Sequence, residues 1–260
     1  MRRVIILAFI FLLVLVSISC FREETELTIY FVRGGDLYRM NEDGGNLKLL
    51  LPGCTYPCAS ADGDFILCRE SGVSVIYYLN SLILYRSFPT ASPYTHSWSP
   101  DGVKIAATDG PGTTKVYDVS SGNQVWSSGG GGKRGHYFSN NSKYIIETVT
   151  TTLNEYIPAV DVIPEKTRTM PLGFIGLTIS PDGKYIAAEN VGNVYIMRES
   201  DITDYWLVHA GIEPAWSPDN KTLVINNGGN IATCDIYGGN YKELTSSGID
   251  SSPCFSFKPK

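Results

Sequence analysis

The chain has 260 residues, with 26 acidic and 21 basic side chains and a formal net charge of −5. This balance argues against a nucleic-acid partner, because binding a phosphate backbone requires clustered positive charge. The 26 glycines and 16 tyrosines suit an all-β chain with many turns, and the length is ample for a large core.

The N-terminus has the layout of a secretory signal. Two arginines precede the apolar run Val4–Val16, and small residues lead to Cys20. The run is short for a membrane span. A cysteine directly after a small residue resembles the lipobox of bacterial lipoproteins, although Ser17 stands where that family usually has leucine. The resemblance implies a signal peptide over 1–19 and lipidation of Cys20.

The same resemblance has a consequence for location. Residues 20–26 become a lipidated cysteine and a short linker, and several acyl chains on one cysteine anchor a protein firmly. No aspartate follows Cys20, so in a double-membraned bacterium the pattern implies the periplasmic side of the outer membrane. Otherwise it implies the outer cell surface. An uncleaved signal anchor and an ordinary signal peptide with a chance cysteine stay open as alternatives.

A turn motif then recurs at a nearly constant interval through the rest of the chain. The clearest copies are SWSPDG, TISPDG and AWSPDN, and degraded copies read CASADG, YFSNNS and CFSFKP. The spacings between the anchor serines are 39, 40, 41, 37 and 39 residues. A period near 40 with short β segments between anchors predicts a propeller with one four-stranded blade per repeat. The anchors are Ser60, Ser99, Ser139, Ser180, Ser217 and Ser256.

The residue types explain why this motif makes a turn. Serine starts a type I turn, proline presets φ, aspartate suits the bridge region, and glycine takes the left-handed position that follows. Asn220 replaces that glycine in one copy. The large residue that precedes most of the serines, such as Trp98 or Trp216, should face a neighbouring blade.

The segments between the turns read as short strands. Residues rich in β-branched and aromatic side chains are bounded by Gly, Asn and Asp. The last repeat ends after one strand, Cys254–Phe257, and the residues before the first anchor supply three more strands. We therefore expect a six-bladed β-propeller over 27–260, closed by pairing the C-terminal strand with the N-terminal strands, because an open ring would expose strand edges. Predicted segments are Leu27–Arg33, Asp36–Asn41, Leu47–Leu51, Lys104–Asp109, Lys115–Ser120, Gln124–Trp126, Tyr185–Glu189, Asn193–Arg198 and Tyr205–His209.

The anchors resemble the WD40-like (PD40) repeat of the TolB propeller family. Trp98 to Gly102, Ser180 to Ala187 and Trp216 to Asp219 are the closest copies. The resemblance covers nearly the whole chain after the leader and implies the fold, but the motif is scaffold and does not carry a function. TolB has an additional N-terminal domain, and only six residues separate Cys20 from the first strand here. Its role in the envelope is therefore not transferred.

The cysteines leave their pairing open. Besides Cys20 they are Cys54, Cys58, Cys68, Cys234 and Cys254, an odd number. By repeat alignment Cys58 and Cys254 hold the same position in adjacent inner strands. A disulfide there and a pair of small buried thiols are both compatible with the sequence.

Two histidines are the strongest candidates for chemistry. His96 and His136 hold the same repeat position, at the start of adjacent inner strands near the mouth of the channel. Aligned histidines could begin a metal site or an enzyme active site, but a third aligned histidine is lacking. No G-x-S-x-G nucleophile elbow occurs either. We therefore expect polar lining of the channel, no catalytic residue, no metal and no cofactor.

The loops opposite the serine turns are the predicted partner-binding face. They vary in sequence from blade to blade, and varied loops that carry aromatic and arginine side chains are typical of recognition surfaces. The residues on this face are Tyr94, His96, Lys133, Arg134, His136, Glu213 and Asp250.

Three functions are compatible with these features. The first is an envelope-anchored, non-enzymatic lipoprotein whose propeller binds a protein or peptide. The second is an enzyme, a lyase or hydrolase that acts on a glycan or small ester in the channel with His96 and His136. The third is a purely structural component of the envelope.

Overall fold

The computed structural model describes residues 26–90, 92–110, 112–129, 133–149, 151–158 and 164–257. These residues form six antiparallel four-stranded sheets, the blades of a β-propeller, as the repeats predict. None of the described residues forms a helix with the length and hydropathy needed to cross a membrane.

Five blades run in chain order, with the innermost strand first. Blade I has β4 (Cys54–Ala59), β5 (Phe65–Glu70), β6 (Val73–Tyr78) and β7 (Leu84–Phe88). Blade II has β8 (Thr95–Trp98), β9 (Lys104–Thr108), β10 (Thr114–Asp118) and β11 (Gln124–Ser127). Blade III has β12 (Lys133–Phe138), β13 (Ile145–Val149), β14 (Thr152–Tyr156) and β15 (Lys166–Thr169). Blade IV has β16 (Ile175–Ile179), β17 (Tyr185–Asn190), β18 (Asn193–Arg198) and β19 (Tyr205–Ala210). Blade V has β20 (Ile212–Trp216), β21 (Thr222–Asn227), β22 (Asn230–Asp235) and β23 (Lys242–Glu243).

Blade VI is assembled from both ends of the chain. Its strands are β24 (Asp250–Phe257), β1 (Leu27–Arg33), β2 (Asp36–Asn41) and β3 (Lys48–Leu51), in that order from the channel outward. β24 pairs antiparallel with β1, which confirms the predicted closure. The hydroxyl of Ser256 in β24 also donates to the carbonyl of Ser60, 3.1 Å away in the first serine turn.

The serine turns are closed by one repeated hydrogen-bond pattern. In blade IV the Ser180 hydroxyl donates to the Asp182 carboxylate (2.7 Å) and accepts from the amide of Tyr185 (3.0 Å). The same two bonds begin at Ser60, Ser99, Ser139 and Ser217. The serine hydroxyl thus satisfies both its donor and acceptor capacity at the end of each of these inner strands. Four of the serines are buried, whereas Ser139 is half-buried and donates to the side-chain amide oxygen of Asn141.

The left-handed position of the turns also links neighbouring blades. Asn220 takes it with φ 65°, as predicted from the sequence, and Ser142 takes it with φ 57°. The Asn220 side chain accepts from the amide of Asp182 (2.8 Å), and the Ser142 hydroxyl accepts from the amide of Asp101 (3.1 Å). The two residues that replace glycine therefore connect their turn to the turn of the preceding blade.

The residue before the anchor serine packs between blades, as predicted. The indole of Trp98 stacks on Phe65 and donates to the carbonyl of Cys58, 2.8 Å away in blade I. The indole of Trp216 stacks on Tyr185 of blade IV. These rings make the seams between blades part of the hydrophobic core.

At the opposite end of the inner strands the pairing is irregular. The register of β4, β12, β16, β20 and β24 shifts at a bulge, whereas β8 pairs regularly with β9. In three of these bulges a residue with positive φ precedes a proline: Tyr56 (52°), Glu213 (54°) and Ser252 (51°). A bulge residue has no ladder bond to make, so the missing N–H of proline costs nothing there.

The bulges also account for the main difference from the predicted strands. We predicted Cys254–Phe257 as the last strand, and it begins four residues earlier at Asp250. Pairing with β1 resumes beyond the bulge, at Ser251 and Asp250. Three other predicted strands coincide with the observed ones: Leu27–Arg33, Asp36–Asn41 and Asn193–Arg198. The remaining predicted strands differ from the observed ones by one or two residues at one or both ends.

Candidate functional site

The inner strands of the six blades enclose a central channel with a cavity of about 830 Å³. The predicted residues Tyr94, His96, His136 and Glu213 all line this cavity. Tyr94 directly precedes β8, and the other three come from the bulged or starting ends of their strands, on the side opposite the serine turns. The structure therefore brings together four of the seven predicted face residues around one channel.

His96 connects blade II to blade I. Its Nδ1 lies 2.9 Å from the carbonyl oxygen of Tyr56, and its Nε2 lies 2.9 Å from the hydroxyl of Ser74. Because a carbonyl only accepts, Nδ1 carries the proton and Nε2 accepts from Ser74. The Thr90 hydroxyl donates in turn to Ser74 (3.0 Å), so the assignment completes a hydrogen-bond chain. Burial, with the charge of Arg69 adding to it, lowers the pKa of His96 to about 4.

His136 makes the equivalent connection from blade III to blade II. Its Nδ1 lies 2.7 Å from the hydroxyl of Thr108 and 3.3 Å from that of Thr95. The side chain is 4% exposed. Burial lowers its pKa to about 3, so the imidazole is neutral at physiological pH.

Two glutamates connect blades IV, V and VI at the same level. The amide of Glu213 donates to the carboxylate of Glu189 (2.6 Å). The Glu213 carboxylate accepts from the amide of Ser252 (2.7 Å) and from the side-chain amide of Asn226 (3.0 Å). Burial raises the pKa of Glu189, and the charge of Glu213 adds to this effect. The positive φ of Glu213 places its amide and its carboxylate on two different neighbours.

Asp250 has a different environment from the other predicted face residues. It is 1% exposed and forms a bidentate ion pair with Arg33, with N–O distances of 2.7 and 2.9 Å. Burial alone would raise the pKa of Asp250, but the hydrogen bonds from Arg33, Ser247 and Thr245, together with the charge of Arg33, outweigh it and the pKa is lowered. Asp250 thus holds β24 to β1 in blade VI.

The side chains of two predicted residues and the lipidation site lie outside the part of the chain that the structure describes. The backbones of Lys133 and Arg134 belong to β12, but their side chains lie outside the described part of the chain. Cys20 also lies outside the described residues. The partner-binding role of the seven residues and the lipidation of Cys20 stay predictions.

Three residues of the channel mouth were not predicted from the sequence. Tyr56, Glu189 and Ser252 line the cavity together with the predicted residues, and Arg69 lies over the Tyr56 ring, 4.7 Å from its centroid. The sequence carries a signal for Tyr56 and Ser252, because both precede a proline at the same position of the repeat. The three copies of this pair are Tyr56-Pro57, Glu213-Pro214 and Ser252-Pro253. No three His, Cys, Asp or Glu side chains in the described ranges lie close enough together to hold a metal ion.

The fold is similar to that of known propellers. A TolB structure from Acinetobacter baumannii matches with a TM-score of 0.73 and 18% identity over 88% of this chain. This chain spans 66% of the length of that TolB chain. A chain from a nidogen/laminin complex matches with a TM-score of 0.71 and 10% identity, over 90% of this chain and 100% of the other.

A chain from a mitotic checkpoint complex is also similar, with a TM-score of 0.58 and 15% identity over 89% of this chain and 81% of the other. No protein-family model and no curated protein matches the sequence. At these identities the likeness shows the β-propeller fold alone, so the chain is structurally similar to TolB.

The buried histidines predict a pH dependence of stability. The folded-state pKa of His136, about 3, lies below the unfolded value of 6.5, so its contribution is complete above pH 6.5 and is lost as the pH falls. Between pH 7.5 and 5 the loss is about 2 kcal/mol. In urea titrations, His136→Asn should make the decline in the free energy of unfolding shallower by about this amount.

The matched control is His209→Asn. His209 lies on the outer strand β19 and stacks on Tyr241, with ring centroids 4.1 Å apart, away from the channel. His209→Asn makes the same chemical change at a histidine that does not line the cavity, so the difference between the two variants isolates the effect of the buried ring. An unchanged slope in His136→Asn would contradict the buried, neutral state of this imidazole.

Proposed function

We propose that this chain is an envelope-anchored lipoprotein whose propeller binds a protein or peptide at the channel mouth without catalysing a reaction. The observation that carries the proposal is the construction of the mouth. Its polar side chains are held by hydrogen bonds between blades, around a cavity of about 830 Å³. A rim that is already ordered loses little conformational entropy when it binds a partner.

The chemistry of the mouth suits a peptide chain. Tyr56 and Tyr94 offer aromatic rings on the side of blades I and II, and Glu189 and Glu213 offer carboxylates on the side of blades IV and V. Binding sites typically combine apolar and aromatic walls with a few fixed polar groups. The cavity supplies both at one opening.

The same contacts favour binding over catalysis. Both ring nitrogens of His96 lie at hydrogen-bonding distance from protein atoms, and the low pKa values of His96 and His136 keep both rings neutral. A general acid works best with a pKa near the operating pH. A lyase or hydrolase that uses these histidines would first have to release them from the blade seams.

Two of the similar propellers come from structures of protein complexes, the mitotic checkpoint complex and the nidogen/laminin complex. At 15% and 10% identity they support protein binding as a use of the fold and do not identify a partner. The envelope location rests on the sequence pattern that ends at Cys20.

A photo-crosslinking amino acid at Tyr94 should capture a discrete partner from cell envelopes. The same probe at Lys184, an exposed residue next to a serine turn on the opposite face, should not capture it.

With the captured partner purified, Lys133→Glu together with Arg134→Glu should weaken binding by about tenfold if the partner is acidic. Lys104→Glu together with Lys184→Glu is the charge-matched control. Capture from Lys184 only, or loss of binding in the control pair only, would place the partner on the other face.

Lipidation is tested separately by metabolic labelling with a fatty-acid analogue. The wild-type chain should be labelled and should sediment with membranes, because the anchor is covalent. Cys20→Ser should be unlabelled, and Cys58→Ser is the control for a cysteine inside the propeller. Equal labelling of Cys20→Ser and wild type would remove the anchoring part of the proposal.

A further inference from the structure

Two thiols of blade I lie in direct contact. The Sγ atoms of Cys54 and Cys68 are 2.8 Å apart, and both side chains are fully buried. The sequence alignment of the repeats pointed instead to Cys58 and Cys254 as equivalent positions. All five described cysteines are free thiols in the structure, and the contact between Cys54 and Cys68 selects one pair among them.

The strand geometry brings this pair together. Cys54 begins β4 and is paired with Glu70 of β5. Cys68 lies two residues before Glu70 in the same strand, so it is the diagonal neighbour of Cys54. Both side chains belong to one hydrophobic cluster, on the same side of the sheet. The sulfurs of a disulfide are about 2.05 Å apart, so the two atoms need to approach by only about 0.8 Å.

We propose that Cys54 and Cys68 form a disulfide when the chain folds in an oxidising environment. The oxidant is a low-molecular-weight disulfide such as oxidised glutathione, or an oxidised dithiol protein. One thiolate attacks the oxidant and releases its first thiol, and the second thiolate attacks the resulting mixed disulfide and releases the other. The two cysteines lose two electrons and two protons, and the oxidant is reduced to two thiols.

The bond has to form before blade I is packed. The contact with Cys54, together with burial, raises the pKa of Cys68 far above its ordinary value. The folded chain therefore offers almost no thiolate for exchange. The two residues are only 14 positions apart in one hairpin, so they can meet early in folding. Once formed, the buried bond is shielded from reductants.

The location gives the bond a structural consequence. Cys254 of the closing strand β24 belongs to the same hydrophobic cluster as Cys54 and Cys68. A covalent link between β4 and β5 would stiffen the hairpin against which β24 packs, at the seam where the ring closes. This inference requires neither the lipid anchor nor a binding partner.

The test counts thiols in the full chain carrying Cys20→Ser, refolded in a glutathione redox buffer. The folded protein is then denatured and alkylated without reductant, and its intact mass is measured. Three of the five internal thiols should be labelled, and all five after reduction. Cys58→Ala should still protect two thiols, whereas Cys54→Ala and Cys68→Ala should protect none.

A melting experiment gives an independent measurement. Refolding in reductant instead of the redox buffer, so that the bond never forms, should lower the melting temperature by about 5–10 °C. It should do the same in Cys58→Ala, the matched control, and should have no effect in Cys54→Ala. Labelling of all five thiols without reductant would overturn the proposal, and so would protection that disappears in Cys58→Ala. If Cys54→Ala fails to fold, the wild-type count and the Cys58→Ala count still decide.

Discussion

The propeller depends on the hydrogen bonds of the serine turns. In five of these turns a serine hydroxyl donates to an acidic or amide side chain two residues later and accepts from the backbone amide five residues later, as Ser180 does. This pair of hydrogen bonds, which we call the serine lock, is repeated in blades I to V, where it joins the innermost strand to the second. Because it is local, each repeat can form it independently. It fixes where every one of these inner strands ends, and thereby the wall of the channel.

The two ends of the inner strands differ in how uniform their structure is from blade to blade. The turn end repeats one geometry and links neighbouring blades through residues such as Asn220. The opposite end departs from regular pairing through bulges, and the side chains there differ from blade to blade. His96 and Glu213 use that variety to connect blades across the seams. A rigid, uniform scaffold at one end therefore supports a chemically varied mouth at the other.

The sequence predicts the fold better than the site, for a physical reason. Turn chemistry and strand alternation are local, so the period reveals the blade count and the closing strand. The positive φ of Tyr56 and the contact between Cys54 and Cys68 depend on register and bulges, which arise only when strands pair. The ion pair of Asp250 with Arg33 joins residues 217 positions apart. Repeat alignment compares equivalent positions, and it does not reveal contacts between different ones.

The most direct test of this account is the free energy of unfolding of Ser180→Ala, measured by urea titration. Ser180 is fully buried, and its loss leaves the amide of Tyr185 without an acceptor. The Asp182 carboxylate loses one donor and keeps its contacts with the amide and the ammonium group of Lys184. We predict a loss of about 1–3 kcal/mol. Ser200→Ala, at an exposed serine of the same blade, is the control and should change stability by less than about 0.5 kcal/mol. Equal stability of Ser180→Ala and the control would contradict the central role of the serine lock.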